Sequence, residues 1–368
     1  MVKLGTHPDS LELYHVYHDL AWMSYRQGYL EKSRGYCEGA QLVIKSMPRK
    51  SGPAVEQARA DLAHLMALID ASSGQLESAL ANLENERQLR LRFDDPVRMS
   101  ACYNKISSVL QAMGRIKQAF DYQRMTMDLA LLTNDLFRQA VSHKNFGELY
   151  AIIGNHDRAL EHYRRALDLS QAVDNQLGII FANAGIGRIV ATRGDVVRAE
   201  QHLQDALKLA RRIKNREQEG SVLIDLAGLA AADKRPAHAA RQLEAARTLT
   251  NELDQPSSPR QMIVAARLAL SSSDNDDLVG TRSTLQQLLA GPITINDEEY
   301  CSIPELEADA CCLLARVLRR FGCPDSTGPL RERAVAAIAT LSRDLDDADR
   351  ASLLARPLAR DVFALSRE

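Results

Sequence analysis

His15 and His18 lie three residues apart, a spacing that puts two imidazoles on one side of a helix and within reach of a single metal ion. No cysteine or carboxylate of defined spacing accompanies them, so the pair reads as two surface histidines. Cys311, Cys312 and Cys323 are the other candidate ligand cluster. None of the six cysteines (Cys37, Cys102, Cys301, Cys311, Cys312, Cys323) forms a C-x-x-C pair. They read as small buried hydrophobes in a reducing cytosol, and neither metal nor cofactor is expected. Glu84 with Glu86, and Asp346, Asp347 and Asp349, read as charge runs on solvated faces rather than as acid/base pairs. Arg211, Arg212, Lys214 and Arg216 form a basic knot that could take a phosphate or an acidic patch, although a helix C-terminal dipole suffices to explain it. There is no P-loop, no G-x-G-x-x-G, no H-E-x-x-H and no G-x-S-x-G, so the chain is expected not to be an enzyme.

Composition narrows the remaining classes. A net charge of −2 leaves no footprint for nucleic acid and no polybasic patch for a membrane. The N-terminal stretch MVKLGTHPDSLEL lacks the apolar core of a signal peptide, and no run approaches the roughly 18 apolar residues of a spanning helix. With 45% apolar and 26% charged residues, the chain has the balance of a soluble folded protein, and a cytoplasmic location is expected.

What must position any functional group is an internal repeat. Gly74, Gly114, Gly154 and Gly194 are spaced by 40 residues. Ala79, Ala119, Ala159, Ala199 and Ala239 keep the same step, as do Leu89, Leu129, Leu169, Leu209 and Leu249. Three tracks in phase mark a solenoid, which grows by adding units and has no single core to outgrow. Six helix pairs are expected over residues 8–253, with turns near Gly28, Gly74, Gly114, Gly154, Gly194 and Lys234. The breaker cluster PRKSGPA, Pro48 to Ala54, stretches the first interval, Gly28 to Gly74, to 46. Asx residues at the links, such as Asn134-Asp135 and Asp174-Asn175, stop one helix and cap the next. Lys234 stands where the other units have glycine, at an expected cost of about 1 kcal/mol. Residues 254–343 are expected to form two degenerate pairs, one around SSSDNDD and one around GCPDSTG, with a longer loop from Gly291 to Ser302 between them. Residues 344–368 read as capping helices split near Pro357.

In the fourth unit Asn145, Gly147, Tyr150, Gly154, Ala159, Tyr163, Ala166 and Leu167 follow the pattern N-x-G-x-x-Y…G…A-x-x-x-Y-x-x-A-L. That pattern resembles the tetratricopeptide repeat. Gly187, Gly194, Ala199, Ala206 and Leu207 match it in the fifth unit, while Ala21, Ala67, Ser107 and Ala227 keep only the smallness of Gly147. Glu86 and Thr126 replace a family alanine. The resemblance implies an all-α, right-handed superhelical solenoid of antiparallel helix pairs, about seven or eight of them. A unit of 40, longer than the usual 34 or so, leaves room for roughly one and a half extra turns per pair. Such longer repeats are similar to the sensor and scaffold arrays of bacterial signalling regulators.

The resemblance also implies that the first helices line a concave groove. Projecting the fourth unit onto the others gives His18, Trp22, Arg26, His64, Asn104, Lys105, Gln111, Lys144, Asn145, Glu148, Arg188 and Asp225 as groove residues. Asn104 and Lys105 sit at the offsets of Lys144 and Asn145, and Arg188 aligns with Glu148. Asparagine can bond both donor and acceptor of an extended peptide, and the cations can hold acidic groups. The sole tryptophan, Trp22, reads as core filler or as a groove platform. The expectation is a non-enzymatic scaffold for a protein or peptide, the sensing or docking part of a bacterial regulator, with homodimerisation open. The alternatives are a peptide-responsive regulator with phosphatase-like activity, for which a repeat beginning near Ser10 leaves no room, or a piece of a larger ATPase-, kinase- or cyclase-linked regulator.

Overall fold

The computed structural model describes residues 10–47, 52–253, 257–271, 276–291, 293 and 302–367. The breaker at Pro48 to Ser51, the turn residues 272–275, Cys301 and most of the loop from Gly291 to Ser302 lie outside them. Among the described residues there are helices and turns and no strand. In chain order the helices are α1 (Ser10–Arg26), α2 (Leu30–Ser46), α3 (Pro53–Ser72), α4 (Leu76–Arg90), α5 (Pro96–Ala112), α6 (Ile116–Leu132), α7 (Leu136–Ile152), α8 (His156–Ala172) and α9 (Gln176–Thr192). They continue as α10 (Val196–Arg212), α11 (Arg216–Ala232), α12 (Pro236–Glu252), α13 (Pro259–Ser271), α14 (Asp276–Ala290), α15 (Ile303–Arg320), α16 (Gly328–Ser342), α17 (Asp347–Ala355) and α18 (Pro357–Arg367). The chain is all-α, with consecutive helices paired. Two compact units are resolved. One holds the residues up to Leu110 with Asp121–Thr133, the other Gln111–Phe120 with the described residues from Asn134 on.

The turns show why helices start and stop where they do. At the end of α7, Gly154 adopts φ +79°, its N–H reaches the Ala151 carbonyl at 3.0 Å, and the Asn155 N–H reaches the Tyr150 carbonyl at 2.9 Å. These are the two bonds of a Schellman ending, which needs a left-handed residue. The Asn155 side chain then accepts the Arg158 N–H, capping α8. One residue thus closes a helix with its backbone and opens the next with its side chain. Asn175 and Asn215 do the same at the links, where the left-handed residues are Asp174 (φ +51°) and Lys214 (φ +58°). Lys234 also sits at φ +56°, without the relief glycine would give.

Packing in the second unit runs from pair to pair. One apolar cluster joins Ile180, Ala184, Leu203, Ala206, Val222, Leu226, Leu243, Ala246 and Val264, so it spans α9 to α13 without a break. Tyr163 on α8 is 1% exposed, and its ring is held between two backbones. A Cβ added at Gly147 of α7 would meet that ring at 2.8 Å, and one at Gly185 of α9 at 2.5 Å. Glycine at these positions lets three helices close on one aromatic ring. Tyr150, half-buried, packs against the cluster that contains Tyr163, and its hydroxyl accepts from Arg158 at 3.0 Å.

The first unit has its own core around Tyr14, Cys37, Val43, Leu62, Leu65 and Ile69, with the Tyr14 hydroxyl donating to the Ala58 carbonyl at 2.7 Å. Here one expectation fails. Glu86 is not on a solvated face: it is 1% exposed, accepts from Arg90 Nε at 2.6 Å and pairs with His64 Nδ1 at 2.9 Å. A carboxylate at a family alanine position survives burial because two partners satisfy it. Cys37, Cys102, Cys311 and Cys312 are buried, and Cys323 is exposed.

Candidate functional site

In the second unit α7 touches α9, α9 touches α11 and α11 touches α13, whereas no comparable contact joins α8 to α10 or α10 to α12. First helices crowd while second helices splay, so this stretch curves with its first helices on the inside. The inner side carries a polar line. The Lys144 ammonium lies 3.0 Å from Glu148 Oε1 and 5.2 Å from the Phe181 ring centre on α9. Two turns further along α9, about 10 Å, Arg188 bonds Asp225 Oδ2 of α11 at 2.9 Å, and Arg260 of α13 takes Asp225 Oδ1.

Depth sorts these charges by sign. The Glu148 and Asp225 side chains are 6% and 3% exposed, and those of Lys144, Arg188 and Arg260 are 19%, 22% and 16% exposed. Carboxylates lie beneath and cations above. The more exposed groups on this face are therefore the ammonium and guanidinium groups, with Phe181 beneath the Lys144 ammonium.

Beside this line two side-chain pairs recur one repeat apart. His143 Nδ1 lies 3.0 Å from His162 Nδ1, and Asn183 Oδ1 lies 2.9 Å from His202 Nδ1. The His162 ring also rests against Phe146 and Tyr150, at centre distances of 5.1 and 5.3 Å. Burial, then the neighbouring His162 and Arg165, pushes His143 down from its ordinary 6.5 to about 4. Burial lowers His162 and His202 as well. The unfolded chain therefore takes up protons below pH 6.5 that the folded chain refuses, so stability is complete above that pH and declines as pH falls toward 4. Urea midpoints measured between pH 7 and 4.5 should fall. The double variant His143→Gln/His162→Gln should flatten that decline by about one to two protons' worth of slope; an unchanged slope would show that the pair does not cause it.

The other projected residues are placed as follows. Asn145 is buried at the turn of α7 that carries Lys144, and Gln111 is buried on α5. In the first unit His18 lies against Tyr14 and 3.5 Å from Asp19, Arg26 is exposed, and His64 holds Glu86. Asn104 and Lys105 are half-buried on α5. Trp22 is 40% exposed and leans on Tyr25, which removes it from the core. The basic knot is tied down, with Arg211 and Arg216 both on Glu219 at 2.8 and 3.3 Å. Among the described residues no three His, Cys, Asp or Glu side chains converge as a metal site. No described helix is long and apolar enough to cross a membrane.

The tetratricopeptide repeat pattern matches residues 99–172 and again 137–210. No curated protein matches the chain in sequence. Solved structures do match in fold. The Rap conjugation gene regulator of the plasmid pLS20, in complex with the Phr* peptide, aligns with a TM-score of 0.64 at 11% identity, covering 91% of this chain and 96% of that one. A Rap protein complexed with competence and sporulation factor gives 0.62 at 12% identity, over 90% and 99%. The apo quorum sensor NprR from B. thuringiensis gives 0.56 at 11% identity, over 88% and 87%. At these identities the likeness is one of fold. The phased glycines, the helix pairs closed by paired caps and the matched pattern make residues 99–210 a run of tetratricopeptide repeats.

Proposed function

We propose that the chain is a non-catalytic scaffold that takes a peptide or protein segment against the inner face of α7, α9, α11 and α13, as the sensing or docking part of a regulator. One observation carries this reading: Lys144, Arg188 and Arg260 stand over buried Glu148 and Asp225 on the face where first helices converge. Buried ion pairs contribute little net stability compared with apolar side chains of the same volume. By that measure the five charges gathered here add little that apolar side chains of the same volume would not. A partner gives them a purpose. The fold shared with a Rap regulator solved with a bound peptide supports the same reading.

Lys144→Glu tests it. The substitution sets a second carboxylate beside Glu148 and reverses the charge at the surface. Partners recovered from the native cell on immobilised protein and identified by mass spectrometry should drop at least tenfold with Lys144→Glu, at an unchanged circular dichroism spectrum. Equal recovery on both proteins would remove the inner face from the function.

A further inference from the structure

The C-terminal helices do more than cover the last pair. The Arg356 guanidinium, at the joint between α17 and α18, donates through Nη1 to the Ile152 carbonyl at 2.5 Å and through Nη2 to Glu305 at the start of α15. Ile152 lies 204 residues earlier, in the last turn of α7, where helix carbonyls lack an intrahelical donor. At the next turn residue, a Cβ on Gly154 would meet both the Ser352 carbonyl and Arg356 Cγ at 2.8 Å. Gly194, the same repeat position one unit on, has nothing within 4 Å. The turn of the fourth pair is therefore a docking point, and one guanidinium ties the first helix of the inner face to α15 beyond its far end.

Two features make this contact separable. α18 is anchored, with Ala359 and Val362 buried and its packing against α15 and α16. α17 is not: Leu353 is its only buried residue, and α18 is the only helix it packs on extensively. The hydrogen bonds at the α7 turn are polar, so on lifting α17 away water replaces them, and the apolar cost is the exposure of the single side chain Leu353. Segments held in this way open locally, at far less cost than global unfolding.

We propose that Arg356 is a latch. With it closed, α7 and α15 are tied and the inner face between them has a fixed width; with it open, α17 swings on the Arg356-Pro357 joint and the face can widen. Native-state hydrogen exchange on the full chain tests this independently of any ligand. In the native sequence, amides of 149–156 and 347–356 should exchange at matched rates, faster than those of α10. Arg356→Ala should speed both segments at least tenfold and leave α10 unchanged, and Glu305→Gln should act in the same direction more weakly. If either segment keeps its native rate in Arg356→Ala, or if α10 accelerates equally, there is no latch. Should Arg356→Ala not fold, Glu305→Gln decides: local acceleration confined to the two segments supports the latch, and anything else overturns it. Loss of partner capture in Lys144→Glu with native exchange rates at 347–356 would bear on the inner face alone, so the two readings fail separately.

Discussion

Tyr163→Ala should lower the free energy of unfolding by about 3–5 kcal/mol, more than any other single truncation in the fourth pair. The ring is 1% exposed and lies between Gly147 and Gly185. Neither neighbour has a side chain that could swing into the hole, so the cavity would stay open and carry its full penalty. The converse change gives a sharper test. In the native chain Gly185→Ala drives a methyl group to 2.5 Å from the ring and should cost about 1–3 kcal/mol through overpacking. In the Tyr163→Ala background that clash is gone, and the same change should instead stabilise by about 1 kcal/mol, the ordinary gain of alanine over glycine inside a helix. The sign should reverse in a double-mutant cycle read by urea denaturation. If Gly185→Ala costs the same in both backgrounds, the ring is not what requires glycine there. Because each pair leans on the next, the loss should spread through the cluster linking α9 to α13 and lower the cooperativity of the transition.

The fold could be read from the chain because its two strongest constraints are local. A helix ending of the Schellman type needs a left-handed residue, and glycine supplies it at Gly114, Gly154 and Gly194 with φ between +75° and +82°. Close helix approach needs a missing side chain, as at Gly147. Both demands return with every unit, so they leave a period of 40. Contacts between units follow another period. Arg188 meets Asp225 at a separation of 37, Arg193 meets Asp157 at 36 and Arg235 meets Glu200 at 35. Successive pairs touch across an offset of three to five residues from the repeat, because the facing turns of neighbouring helices are not the equivalent ones. A search for opposite charges at 35 to 37 would have paired Arg260 with Asp225; projection at 40 aligned Arg188 with Glu148, which occupy equivalent places without bonding each other. Phe181 gave no signal at all, since its repeat partners are Val141 and Ser221. Glu86 was misplaced for a related reason: its own repeat position predicts alanine, and only the partners Arg90 and His64 make a carboxylate tolerable there.

Asp225→Ala should cost about 3 kcal/mol, at the lower end of the range for breaking a buried ion pair because solvent reaches both partners. It removes the one carboxylate shared by Arg188 and Arg260 and leaves two guanidiniums facing each other across the inner side of α9, α11 and α13. Loss of partner capture in that variant alone would be ambiguous, since a loosened array loses its surface along with its charge. The apolar replacement Arg188→Met/Asp225→Leu/Arg260→Met separates the two effects. Fully replacing a buried charged triad by side chains of similar volume is commonly neutral or stabilising, so its urea midpoint should return to that of the native chain or exceed it. Partner capture should not return with it, because the cations that meet the ligand are gone. A triple variant that is both stable and fully competent for capture would make the cluster structural and sink the functional reading of this face. Restored stability with capture still lost would mean that these charges are kept for what they recognise, at a position where an apolar core would have held the helices equally well.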